Sequence, residues 1–147
     1  MNNQNPDNLE PIVTPGFFRR LGAMLYDALL LLALIMVAVA LITLPLGAPS
    51  GVAHIIYQFF LFAIIPAVFF CGFWVRGGQT LGMRAWKLKL VRADGDPVSW
   101  MDVLKRYLAA LLSWLVLGLG FLWIFVDSEN LAWHDRLSDT RLQLLKE

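Results

Sequence analysis

The chain has 147 residues, of which 59% are apolar and only 16% are charged, and its formal net charge is +1. Soluble domains are usually about 25% charged, and nucleic-acid-binding domains carry a clear positive excess. The composition therefore argues against a disordered chain and a nucleic-acid binder, and a single Cys excludes a disulfide-stabilised scaffold. No Asp, Glu, Lys or Arg occurs between Asp27 and Arg76, which indicates a protein of the lipid bilayer.

Residues 1–15 are polar and contain three prolines, so we predict a flexible tail, followed by a single membrane domain over residues 16–147. The first apolar stretch covers about 21–46 and the second about 52–75. A helix as long as the first stretch measures about 39 Å, which is enough to cross a hydrocarbon core of about 30 Å. Prolines and glycines crowd the segment between the two stretches. We therefore predict an antiparallel transmembrane hairpin.

The polar segment from Arg76 to Arg106 holds seven Lys or Arg residues against three Asp, whereas the turn between the two apolar stretches holds no Lys or Arg. The positive-inside rule then places this segment and the N-terminus in the cytoplasm. The expected location is the plasma (inner) membrane, with multi-pass topology. Apolar and basic residues alternate over Trp86–Leu90, and the alternation returns over Arg141–Leu145, which predicts two short strands. Ser99 is predicted to cap a helix in which Asp102 lies three residues further on.

The third apolar stretch, 107–126, allows two alternatives. Its length is sufficient for one more span, which would put the following residues outside. Gly118 and Gly120 interrupt it, however, and a re-entrant pair of half-helices would keep the two strands together on the cytoplasmic side. Length favours three spans. The predicted fold class is an all-α integral membrane protein with a helix hairpin, a third apolar helix that spans or re-enters, and a small cytoplasmic β pairing.

Asp27 is the most informative residue, because a carboxylate in a membrane span costs about 2.5–3.5 kcal/mol at the centre and less near an end, and is therefore expected to face protein or water. Arg20 lies on the same helical face but about 10.5 Å away along the axis, so each group needs another partner. Asp27 is predicted to be either a hydrogen-bonded structural group or a proton- or cation-binding site. Arg106, at the start of the third apolar stretch, is a candidate partner, and an ordinary positive-inside anchor is the alternative.

His134 and Asp135 lie in a segment that packs four ionisable groups into six residues. A His beside an Asp is a pattern that also occurs in metal sites. However, no second His or Cys lies at a metal-ligand spacing from it. The glycine-rich segment 77–82 lacks the Gly-Lys-Ser/Thr of a phosphate-binding loop. We therefore expect no enzyme, no metal and no cofactor. The charge-network candidates are Arg20, Asp27, Arg106, His134 and Asp135.

The sequence from Gly16 to Asp27 (GFFRRLGAMLYD) resembles the opening of the RDD family of small membrane proteins. The resemblance continues through 78–84 (GQTLGMR), 89–96 and His134-Asp135 followed by Thr140, and so covers most of the chain. It implies that Arg20 is the family's Arg and Asp27 its first Asp. Asp135 is then the second Asp, with Asp139 as the other candidate.

The resemblance implies a direction for function, because transport has been proposed for the family and some members are linked to sodium–proton exchange. One hypothesis is therefore a homo-oligomeric transporter or ion-coupling protein in the lipid bilayer, which binds a proton or small cation at Asp27 under the influence of Arg20, Arg106 and Asp135. The other hypothesis is a non-transporting adaptor or assembly factor. Its basic cytoplasmic segment would dock a partner protein or anionic lipid.

Overall fold

The computed structural model describes residues 13–94 and 96–145. It is mostly helical, with one two-stranded sheet in the described part of the chain. Most of the predicted polar tail lies outside the described residues. The last three residues of this tail are described. The Val13 carbonyl oxygen accepts a hydrogen bond from the Leu144 N–H at 2.8 Å, and Pro15 is buried.

Two helices are long and apolar enough to cross a membrane, as the sequence predicts. Helix α1 covers Phe17–Leu46 and ends at Gly47, whose φ of 75° stops the helix. The second long helix covers Val52–Gly77 and consists of α2 (Val52–Phe59), a π-helical turn (Phe60–Ile64) and α3 (Ile65–Gly77). The π-helical turn precedes Pro66, which has no N–H for a regular helical hydrogen bond.

A small layer of short elements follows α3. Helix α4 covers Leu81–Ala85, strand β1 Leu88–Arg92, and strand β2 Thr140–Leu144. The predicted strand pairing is confirmed: β1 and β2 are antiparallel, with Leu88 opposite Leu144 and Arg92 opposite Thr140. The first strand begins two residues later than the alternation predicts, because the chain turns at Trp86 and Lys87.

The core of this layer lies where the sheet meets α1 and α4. It contains buried residues from four elements, namely Ala23, Met83, Leu88, Leu90 and Leu142. Leu88 and Leu90 are inside whereas Lys89 between them is exposed, as expected for a half-buried strand with a side-chain period of two. The layer is therefore packed against the beginning of α1.

The third apolar stretch is not one straight helix. Helix α5 covers Trp100–Leu115, and the predicted cap at Ser99 is confirmed, with Asp102 completing a capping box. After α5 the chain turns through Leu117 (φ 57°) and Gly118 (φ 77°). It continues as α6 (Leu119–Leu122) and a 3-10 turn (Trp123–Phe125). The two arms are bent by 107°. Helix α7 (Trp133–Leu137) then leads into β2.

Candidate functional site

The candidate charge network separates into two buried clusters, each built around one Asp. Asp135, at the start of α7, is 1% exposed, and Asp27, in α1, is 4% exposed. The sequence interpretation had Arg20, Arg106 and Asp135 act together on Asp27. In the structure both arginines bind Asp135 instead, and Asp27 has different partners.

Asp135 forms ion pairs with two arginines from different helices. The Oδ2 atom lies 2.7 Å from Nη1 of Arg20, and Oδ1 lies 2.6 Å from Nη1 of Arg106. The Ala132 N–H also donates to Oδ2 at 3.0 Å. Helices α1, α5 and α7 each supply one charged group. The cluster therefore connects α1 and α5 to α7, which leads into the sheet.

The two guanidinium groups are held by further acceptors. Arg20 donates to the carbonyl oxygens of Pro15 and Asn130, at 3.3 Å and 3.1 Å. Arg106 donates to the Thr140 hydroxyl at 3.0 Å and lies over the Trp74 ring, 5.4 Å from its centroid. Burial disfavours the charged form of Asp135, but the positive charges of Arg106 and Arg20 outweigh it and hold its pKa below the ordinary value.

His134 lies beside this cluster without joining it. Its Nε2 atom is 3.7 Å from Oδ1 of Asp135, which is too long for a hydrogen bond, and its ring packs on Phe121 at a centroid distance of 4.9 Å. Burial, reinforced by the charge of Arg106, lowers the pKa of His134 to about 3. The imidazole is therefore neutral at physiological pH. Among the described residues there is also no group of three His, Cys, Asp or Glu side chains that could hold a metal ion.

Asp27 binds the beginning of α4. Its Oδ1 atom accepts a hydrogen bond from the Gly82 N–H at 2.8 Å, and its Oδ2 atom accepts one from the Thr80 hydroxyl. The same hydroxyl accepts from the Met83 N–H at 3.1 Å. None of the ion pairs within residues 13–94 and 96–145 includes Asp27. It is thus a buried carboxyl group with two hydrogen-bond donors and no cationic partner there.

The close packing around Asp27 leaves little space for an additional ligand. A Cβ atom on Gly82 would meet the Ala23 carbonyl oxygen and would lie 2.8 Å from Cγ of Asp27. A proton needs no such space. Once Oδ2 carries a proton, the Thr80 hydroxyl can turn and accept from it, because a hydroxyl is both donor and acceptor. The geometry therefore suits reversible protonation better than coordination of a metal ion by several oxygens.

Sequence reasoning found the two aspartates but missed the donors of Asp27. Thr80 is the N-cap of α4. The sequence signal for these donors is a Thr that precedes a Gly by two residues within a polar segment. Of the two candidates for the second family Asp, Asp135 lies in the ion-pair cluster and Asp139 is exposed.

Comparison with protein families gives a match to the model described as the RDD family over residues 14–139. This range includes Arg20, Asp27, Arg106 and Asp135, and it ends one residue before β2. Comparisons with curated proteins and with solved structures give no significant match.

Proposed function

Because the chain belongs to the RDD family, we propose that it is a homo-oligomeric, ion-coupled membrane transporter in which Asp27 binds and releases a proton. One observation carries the proposal. Asp27 is a buried carboxyl group on a long apolar helix with no cationic partner in the described residues, whereas Asp135 is neutralised by two arginines. Carboxyl groups inside apolar spans commonly mark proton or ion pathways.

The two clusters have different roles in this proposal. The Arg20–Asp135–Arg106 cluster holds α1, α5 and α7 in fixed positions, because its carboxylate already has two charged partners. Asp27 is the group that gains and loses a proton. Its protonation changes the hydrogen bonds with Thr80 and Gly82 and so affects the position of α4. Two long helices and one bent pair enclose too little volume for alternating access, so the proposal includes assembly of several copies around the pathway.

The proposed orientation places the N-terminus and the sheet layer in the cytoplasm, and the plasma membrane is the proposed location. The support is the excess of basic residues between Arg76 and Arg106 and their absence from the turn at 47–51.

Proton flux into liposomes tests the function. The purified protein is reconstituted with an interior pH-sensitive dye, and a pH gradient is applied with sodium, potassium or lithium outside. We expect flux from the natural sequence, and we expect Asp27→Asn to reduce it to the level of empty liposomes. We expect the variant to stay folded, because the amide oxygen of Asn can still accept a hydrogen bond from the Gly82 N–H. The substitution also removes the cost of a buried carboxylate. Its melting temperature in detergent checks this point.

Asp94→Asn is the matched control, since Asp94 is an exposed carboxylate paired with Arg92, and it should transport normally. Unchanged flux in a folded Asp27→Asn protein would contradict the role of Asp27. Absence of flux from the natural sequence would favour the second candidate, an adaptor. That candidate is supported by the exposed basic residues of the segment, among them Arg76, Arg84, Lys89 and Lys105, which suit anionic headgroups.

A further inference from the structure

We infer that α5 and α6 form a re-entrant element that enters and leaves the membrane on the side of the sheet, with its outer face in contact with the acyl chains of that leaflet. The inference concerns how the third apolar stretch meets lipid, and it is independent of the proposed function.

The strand pairing determines the side on which both ends of the element lie. Strand β1 precedes α5 and β2 follows α7, and the two strands are hydrogen-bonded along their whole length. A chain segment whose flanking strands belong to one sheet begins and ends on the same side of a bilayer. Asp135, which follows the element, also pairs with Arg20 at the beginning of α1, so the start of α1 lies on this side as well.

The dimensions of the two arms lead to the same conclusion. After Arg106, the apolar part of α5 has nine residues (107–115), equal to about 14 Å of helix, and the returning arm Leu119–Phe125 measures about 10 Å. The bend of 107° between the arms prevents their lengths from adding. A hydrocarbon core of about 30 Å therefore exceeds the reach of the element.

The polarity of α5 is inverted relative to a helix on the surface of a soluble protein. Its buried face carries Asp102, Arg106 and Ser113. Its exposed face carries a stripe of large apolar residues at spacings of three and four, namely Trp100, Leu104, Leu108, Leu111 and Leu115. An outer stripe of this kind needs an apolar environment. The exposed apolar side chains of α1 and of Val52–Gly77 need the same environment.

The break between the arms is compatible with lipid. Backbone N–H groups exposed to hydrocarbon must have hydrogen-bond partners. Here the N–H groups of residues 116–119 donate to the carbonyl oxygens of Leu112, Trp114, Ser113 and Val116. Leu117, at the tip, is 92% exposed. The exposed Trp side chains near the two ends of the element, Trp100 and Trp123, are typical of the interface between headgroups and acyl chains.

Labelling of single cysteines tests the topology. In a Cys71→Ala background, Cys is introduced at three exposed positions: Ser50, Asp96 and Ser128. An impermeant maleimide is then applied to intact cells and to inverted vesicles. We expect Ser128→Cys and Asp96→Cys to react from one side and Ser50→Cys from the other. Reaction of Ser128→Cys from the side of Ser50→Cys would show a true third span and overturn the inference.

A spin label at Leu108→Cys in the same background tests the occupant of the outer face in liposomes of phosphatidylcholine and phosphatidylglycerol. We expect collisions with oxygen to exceed those with a water-soluble nickel chelate several-fold, as for acyl-chain contact. A label that is open to the chelate, or closed to both reagents because a second copy covers it, would overturn the contact with lipid. Neither measurement depends on transport, so the inference can fail while the proposed function holds.

Discussion

Asp135→Asn should abolish most of the stability of the folded protein. The substitution keeps the shape of the side chain but removes the negative charge between two arginines, at 2.7 Å and 2.6 Å from its oxygens. Two buried guanidinium groups then lack a counter-charge. Removing one partner of a buried ion pair typically costs about 3–5 kcal/mol, which is comparable to the whole stability of many small domains. Thermal unfolding of the purified protein in detergent measures the effect.

The matched control is Asp94→Asn. Oδ2 of Asp94 lies 2.6 Å from Nη2 of Arg92, but Asp94 is exposed and Arg92 is only half-buried, and ion pairs near the surface contribute little. The control should therefore unfold near the natural melting temperature. Equal melting temperatures for the two variants would show that Asp135 does not hold the helices together.

Gly82→Ala should separate α4 from α1. The added Cβ would meet the Ala23 carbonyl oxygen, which belongs to a helix backbone and cannot rotate away, and would lie 2.8 Å from Cγ of Asp27. We expect a loss of about 1–3 kcal/mol in the free energy of unfolding, as for other overpacked sites. The hydrogen bond from the Gly82 N–H to Asp27 should be lost with the contact, and proton flux should fall with it.

Gly72→Ala provides the comparison, because Gly72 is also helical and a Cβ there would have no atom within 4 Å. It should unfold and transport like the natural sequence. If Gly82→Ala behaves in the same way, the contact between α1 and α4 is not tight enough to transmit the proton state of Asp27.

Patterns that act over short distances made much of the fold predictable. The long interval without charges and the Pro- and Gly-rich turn at 47–51 predicted two consecutive apolar helices. The alternation of Leu88, Lys89 and Leu90 predicted a strand, and its pairing with β2 followed from the second alternating segment. Each of these signals depends on periodicity or on turn residues, so neighbouring positions are sufficient to detect it.

The partners of the charged residues were not predictable in the same way. Arg20 and Asp135 are separated by 115 positions, and Asp27 and Thr80 by 53. The sequence showed only that Arg20 and Asp27 cannot reach each other and that each requires a partner. Which arginine binds which aspartate depends on how α4, α5 and α7 pack on α1, and no local period encodes that packing. The sequence also left two alternatives for the third apolar stretch, because Gly118 marks a break but does not encode the angle of 107° between the two arms.

The protonation of Asp27 itself is the central claim, and infrared difference spectroscopy between low and high pH measures it directly in the lipid-reconstituted protein. The natural sequence should show a carbonyl band of a protonated carboxyl group that disappears in Asp27→Asn. The band should shift in Thr80→Val, because the protonated group loses its hydroxyl partner. Difference spectra of Asp27→Asn that match those of the natural sequence over the whole pH range would contradict the account.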